Sequence, residues 1–104
     1  MNLQLIDNSV AKFINRLEKS LYAKTLRSID LLERFAYKLC LPHSKKVAKN
    51  LFELRVRGKK EIRIFYTFHK RQIFLLHCFI KKSQKIPQRD IKTTLQKLKY
   101  LTNK

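Results

Sequence analysis

From Leu51 to Pro87 the chain reads LFELRVRGKKEIRIFYTFHKRQIFLLHCFIKKSQKIP, three apolar and aromatic runs with short polar breaks. Runs rich in Ile, Phe, Leu and Tyr, broken at Gly58-Lys59-Lys60 and at His69-Lys70-Arg71, predict three antiparallel strands at about residues 51–57, 61–68 and 72–80. The remaining elements must then supply the cover that such a sheet needs.

The rest of the chain offers that cover. Leu3 to Ile6 predicts a short strand. Asp7, Asn8 or Ser9 then caps a helix with Val10, Phe13, Ile14 and Leu17 at helical spacing. From Ser20 a second amphipathic pattern follows through Leu26, Ile29, Leu32, Phe35 or Ala36, and Leu39, and ends at Pro42. Residues Pro42 to Asn50 read as a basic connector. After Pro87, Ile91, Leu95 and Leu98 mark a terminal helix, with Asp90 placed well for its dipole. The expectation is a single α+β domain over residues 1–104, ordered β-α-α-β-β-β-α, with an antiparallel sheet flanked by helices.

Charge says which part meets a partner. The formal net charge is +18, far beyond what solubility requires, and it implies attraction to a polyanion, either nucleic acid or an anionic membrane surface. Residues 1–39 hold 7 Lys/Arg against 4 Asp/Glu, whereas residues 40–104 hold 18 against 3. The binding surface is therefore expected in the second part. No run approaches the roughly 18 apolar residues of a membrane span, and Asp7 and Asn8 interrupt the N-terminal apolar stretch, so a cytoplasmic protein is expected. Cys40 and Cys78 lack paired-cysteine spacing and read as small buried hydrophobes. Scattered His and Cys argue against a metal site, and the absence of GxGxxG and P-loop patterns argues against nucleotide-dependent chemistry. No cofactor is implied.

Side-chain alternation turns the strands into faces. With three-residue turns, the first hairpin pairs positions summing to 118 and the second pairs positions summing to 140. Phe52, Leu54, Val56, Ile62, Ile64, Tyr66, Phe68, Phe74, Leu76 and Cys78 then share the helix-covered face. The other face carries Arg55 across from Arg63 and Arg63 across from His77, with Phe65, Leu75, Phe79 and Lys81 around them. Like charges opposite one another are unfavourable on a sheet, so this row suits a phosphate better than it suits stability. Arginines hold a phosphodiester bidentately, His77 exchanges protons near neutrality, and Phe65 or Phe79 offers a surface for a base. Metal-free RNA cleavage needs a 2′-hydroxyl deprotonated, a pentavalent phosphate stabilised and a 5′-oxygen protonated, which Arg, Lys and His together can cover. Arg57, Lys59, Lys60 and Lys85 add cations in and beside the loops, suited to docking on RNA. The competing structural reading pairs Arg55 and Arg63 with Glu53 or Glu61, makes His77 a core histidine, and leaves the Lys81, Lys82 and Lys85 run as a solvated loop.

The spacing ELR, then RIFY, then LLHxFxKKxxKxP resembles the RelE/HigB family of small toxins that cleave mRNA on the ribosome, in particular its HigB-like, phage-derived branch. The resemblance implies the RelE-like fold, a type II toxin–antitoxin system, the ribosome and mRNA as partners, and a cognate antitoxin of helix-turn-helix type. It places Arg63 as the transition-state arginine, Arg55 as a basic residue on the preceding strand, His77 as a histidine of the HigB-like branch, and Lys81 and Lys82 as the basic residues after the last strand. Glu53 stands where RelE-type relatives carry a lysine, and neither Tyr100 nor Tyr66 matches their C-terminal tyrosine, so the general base stays open. A non-catalytic RNA- or DNA-binding module, or an inactive member acting through protein contacts, remains the alternative.

Overall fold

The computed structural model describes residues 1–103. Its elements are β1 (Leu3–Leu5), α1 (Ser9–Asn15), α2 (Lys19–Phe35), a 3₁₀ turn (Ala36–Lys38), β2 (Ser44–Ala48), β3 (Leu51–Val56), β4 (Glu61–His69), β5 (Gln72–Lys81) and α3 (Gln88–Thr102). The expected meander, β3-β4-β5, forms the centre of a five-stranded sheet of order β1-β5-β4-β3-β2. β1 lies parallel to β5 at one edge, and β2 lies antiparallel to β3 at the other. This is the α+β architecture that the pattern and the resemblance both implied. Among the described residues, no helix is long and apolar enough to cross a membrane.

Helices cover both faces. On one, Val10 and Ile14 of α1 and Leu21 and Leu32 of α2 pack on Leu54, Ile62, Ile64 and Tyr66. On the other, Leu98 of α3, with Ile6 and Ile86, packs on Leu51, Phe65, Leu76 and Phe79. The approach of α2 explains the chain's only glycine. Gly58 does not adopt a positive φ, so its backbone does not demand glycine. A Cβ there would lie 2.7 Å from Leu21 Cδ2, so the missing side chain is what lets α2 rest on the β3–β4 turn.

Four expectations need correction. The first is the supposed connector, which contains β2. Its inward residue Ser44 is buried and its hydroxyl hydrogen-bonds the Tyr66 hydroxyl, while Lys45 to Ala48 are exposed. Lysines on an edge strand discourage pairing with other chains, and they also erase the apolar alternation by which a strand is recognised. Burial pushes the Tyr66 phenol above its ordinary range, against the opposing effect of the Ser44 hydrogen bond.

The second correction concerns register. β3 and β4 pair as expected, Phe52 with Tyr66 and Arg55 with Arg63. The β4–β5 turn, however, has two residues, because His69 pairs with Gln72. A bulge then leaves Leu76 between paired Leu75 and His77. Beyond it, His77 lies across from Phe65, and Arg63 lies across from Phe79 rather than from His77. Ile73 and Leu75 therefore face α1 and α2, as do Cys78 and Ile80, while Phe74, Leu76 and Phe79 face α3. Phe74 and Leu76 thus leave the face that simple alternation assigns them, and Leu75 takes a place on it.

The helices are also rotated from their apolar patterns. In α2 the buried line runs through Leu21, Thr25 and Leu32, leaving Leu26 exposed. In α3 it runs through Asp90, Thr94 and Leu101, leaving Leu95 47% exposed. Small polar residues take the inner positions because each is satisfied locally: Thr25 Oγ1 donates to Leu21 O at 2.7 Å and Thr94 Oγ1 to Asp90 O at 2.8 Å. Cys40, finally, is exposed. Cys78 is buried, and burial drives its thiol pKa well upward, which leaves it inert.

The two-residue turn carries local strain. Lys70 (φ 49°) and Arg71 (φ 63°) both sit in the left-handed region, the arrangement of a type I′ turn in which Asn-Gly is preferred. Left-handed backbone costs an L-residue roughly 1–2 kcal/mol. The double change Lys70→Asn/Arg71→Gly should therefore raise stability by about 1–2 kcal/mol, read as a higher denaturation midpoint with unchanged m-value. A matched Lys70→Gln/Arg71→Gln variant removes the same charge without relieving the turn. An equal gain there would attribute the effect to charge instead.

Candidate functional site

Beyond the reach of α3, the α3-facing side of the sheet ends in a patch of alternating charge. Glu53 and Arg55 of β3 and Glu61 and Arg63 of β4 share this side, with Lys45 paired to Glu53 and Lys81 paired to Glu61. Glu53 is 2% exposed and Arg63 5%. Burial of ions at this level is tolerated only with close partners, and Glu53 provides them. Its Oε1 accepts from Arg63 Nη1 at 2.5 Å and from Arg55 Nε at 3.0 Å. Arg63 Nη2 reaches Glu61 Oε2 at 3.1 Å. One carboxylate oxygen thus holds the two guanidiniums that face each other across the ladder. The other, Glu53 Oε2, is buried with no hydrogen-bond partner.

These residues open into a cleft of about 430 Å³, bounded also by Lys45, Lys81 and Lys85 and by Gln88 and Ile91 at the start of α3. An adjoining recess is formed by Glu61, Arg63, Lys81, Lys82, Ser83 and Gln84. Five of the candidate residues, Arg55, Arg63, Lys81, Lys82 and Lys85, are thereby brought together. Arginine N–H groups not committed to Glu53 and Glu61 remain to bind a phosphate, and the lysines surround it with further positive charge.

Other candidates lie elsewhere. His77 Nε2 donates to Asp90 Oδ1 at 2.7 Å, its ring stacks on Phe79 with centroids 6.0 Å apart, and it lines neither recess. The pair ties β5 to the first turn of α3 and so sets the cleft wall that Gln88 and Ile91 provide. Phe65 and Phe79 are 2% and 4% exposed and stack on each other at 5.4 Å beneath α3. Neither is available to stack on a base, which corrects that expectation. Arg57 lines a separate cleft against α2, Lys60 faces α1 and Lys59 is exposed in the turn between β3 and β4. Among the described residues, no group of three or more His, Cys, Asp or Glu is placed to hold a metal ion.

Sequence reasoning missed Lys45, because β2 was hidden, and it treated Asp90 only as a helix-dipole residue. Glu53 was visible as a departure from the related pattern. The clue to its role was its i, i+2 spacing from Arg55, which puts both on one side of the strand.

Because Arg63 neutralises a buried carboxylate, Arg63→Ala should cost about 3–5 kcal/mol, the usual penalty for stranding one member of a buried pair. Replacing both members with apolar residues, Glu53→Leu/Arg63→Met, should return stability to within ~1 kcal/mol of the starting protein in urea unfolding. A double variant as unstable as Arg63→Ala would show that the pair is retained for stability.

Comparison with known proteins bears on this geometry. No curated protein matches the chain at a significant level. Residues 12–99, which contain α2, the whole central meander and every cationic residue of the cleft, match the family model described as phage-derived protein Gp49-like (DUF891). The chain therefore belongs to the Gp49-like phage-derived family, which is associated with RelE-type and other toxin-like proteins.

Proposed function

We propose that this protein is the toxin of a type II toxin–antitoxin pair, a metal-independent endoribonuclease that cleaves mRNA on the ribosome in the cytoplasm. Membership of a toxin-like family supports the reading, but the observation that carries it is the Glu53 cleft. There, five cations surround a buried carboxylate that has one oxygen without a partner. An orphaned buried acceptor is costly in the free protein, and a ribose hydroxyl is a donor of the kind that would satisfy it.

The chemistry follows from these positions. The scissile phosphate lies on Arg55 and Arg63, sharing their donors with Glu53. The 2′-hydroxyl gives its proton to Glu53 Oε2, which is buried in the free protein and which the bound strand must uncover by displacing the side chains bordering it, while the hydroxyl oxygen bonds to phosphorus. Arg55 and Arg63 stabilise the charge that accumulates on the equatorial oxygens. The phosphorus–5′-oxygen bond then breaks, with a proton from the Lys81 or Lys82 ammonium passing to the departing oxygen. The products are a 2′,3′-cyclic phosphate and a 5′-hydroxyl. His77 and Asp90 act as positioning residues, holding the start of α3 against the cleft. A cognate antitoxin, with a helix-turn-helix part, would restrain the activity in the cell.

Induced expression should arrest bacterial growth and leave mRNA fragments ending in cyclic or 3′-phosphate. The stability-neutral Glu53→Leu/Arg63→Met variant should relieve the arrest and lower single-turnover cleavage by at least ~10²-fold, the scale of a lost oxyanion donor or general base. Fragments ending in a 3′-hydroxyl, or undiminished toxicity of the folded double variant, would overturn the mechanism. A protein that binds RNA through the same cleft but leaves it uncut would be a non-catalytic RNA-binding module.

A further inference from the structure

A second cationic recess lies between α2 and the end of β3, with a volume of about 320 Å³. It is lined by Lys24 and Arg27 of α2, by Arg55 and Arg57, and by His43, with Leu31 and Val56 as apolar wall. Its electrostatics differ from those of the Glu53 cleft. None of its lining residues is acidic, and among the described residues Lys24, Arg27 and Arg57 have no carboxylate within ion-pair distance. Lys24 and Arg27 stand three residues apart and so share one side of α2. Lys24, Arg27 and Arg57 repel one another around this recess until an anion arrives, while Arg55 beside them is held by Glu53.

Two features tie this recess to the cleavage site. Arg55 lines both, so the two recesses share a guanidinium and adjoin each other. Gly58 permits the close seating of α2 that brings Lys24 over the β3–β4 turn, its Nζ only 3.6 Å from the position a Cβ would take there.

We propose that the α2–β3 recess is a second phosphate-binding site, one that holds single-stranded RNA flanking the bond cleaved in the Glu53 cleft. The inference rests on the reading of RNA as substrate. Cations beside an apolar wall fit the alternation of phosphate with sugar and base, and the shared Arg55 gives a strand a continuous path. An acidic protein segment would use the charge but has no need of a path leading to Glu53.

The test uses full-length protein and non-cleavable 2′-O-methyl oligonucleotides of stepwise increasing length, with affinity measured across a salt series. Lys24→Gln/Arg27→Gln/Arg57→Gln alters three exposed side chains, so the fold should persist. The comparison variant, Lys70→Gln/Arg71→Gln/Lys99→Gln, removes the same charge elsewhere. The recess variant should lose about 10-fold or more in affinity for the longer oligonucleotides. Its salt slope should be shallower by roughly 0.7 per lost phosphate contact, and lengthening the strand should no longer tighten binding. The comparison variant should keep the length-dependent gain. Equal losses in the two variants, or a retained length-dependent gain in the recess variant, would overturn the proposal. So would unchanged RNA affinity together with a poly-glutamate peptide that binds only when the recess is intact. Since these strands cannot be cut, a protein that proves not to cleave RNA can still show the second site, and an active nuclease can still lack it.

Discussion

Arg55 and Arg63 stand opposite each other on adjacent strands, an arrangement that a sheet resists unless something neutralises it. Glu53 Oε1 supplies that neutralisation to both. The remaining organisation of the charged side depends on this contact: it ties both guanidiniums to one carboxylate oxygen, and it allows Arg63 to be buried. Lys45, Lys81 and Lys85 then gather around a preorganised pair of arginines rather than around flexible ones. A buried carboxylate among the cations therefore fixes their positions in a way that a uniformly positive surface would not.

The distribution of burial over the two faces has a parallel logic. The α1–α2 side carries the larger apolar core, whereas α3 covers only part of the other side. Phe65 and Phe79 mark where that cover ends and the cleft begins. His77 and Asp90 fasten the helix at this border.

How much of this could be read from the sequence depended on whether pattern or packing decided it. The three central strands, the Arg55–Arg63 pairing and the cationic second part followed from alternation and charge, because a residue period of two survives any tertiary context. The β4–β5 register did not, since a two-residue turn and a compensating bulge at Leu76 have no compositional mark in an apolar run such as IFLLHCFI. β2 was hidden because an exposed edge strand shows no apolar face. The rotations of α2 and α3 were decided by Thr25, Asp90 and Thr94, polar residues that gain a place inside only through partners the linear pattern does not display. The base-stacking role expected of Phe65 and Phe79 failed for a related reason: the face was assigned correctly and the terminal helix was expected, but nothing in the pattern placed that helix over this face.

The burial of β5 on both sides has a consequence for the chain before it folds. Because helices lie over both faces of the sheet, the segment from Ile73 to Ile80 contains a single ionisable histidine and otherwise only apolar side chains and one thiol. Such a stretch, exposed in a newly made chain, has the composition of an aggregation-prone β segment. Lys70 and Arg71 precede it and Lys81 and Lys82 follow it, and like-charged residues at both ends of an unavoidable hydrophobic strand act as gatekeepers against intermolecular stacking. The same lysines that border the cleft in the folded protein thus also protect the strand that carries them while it is being made.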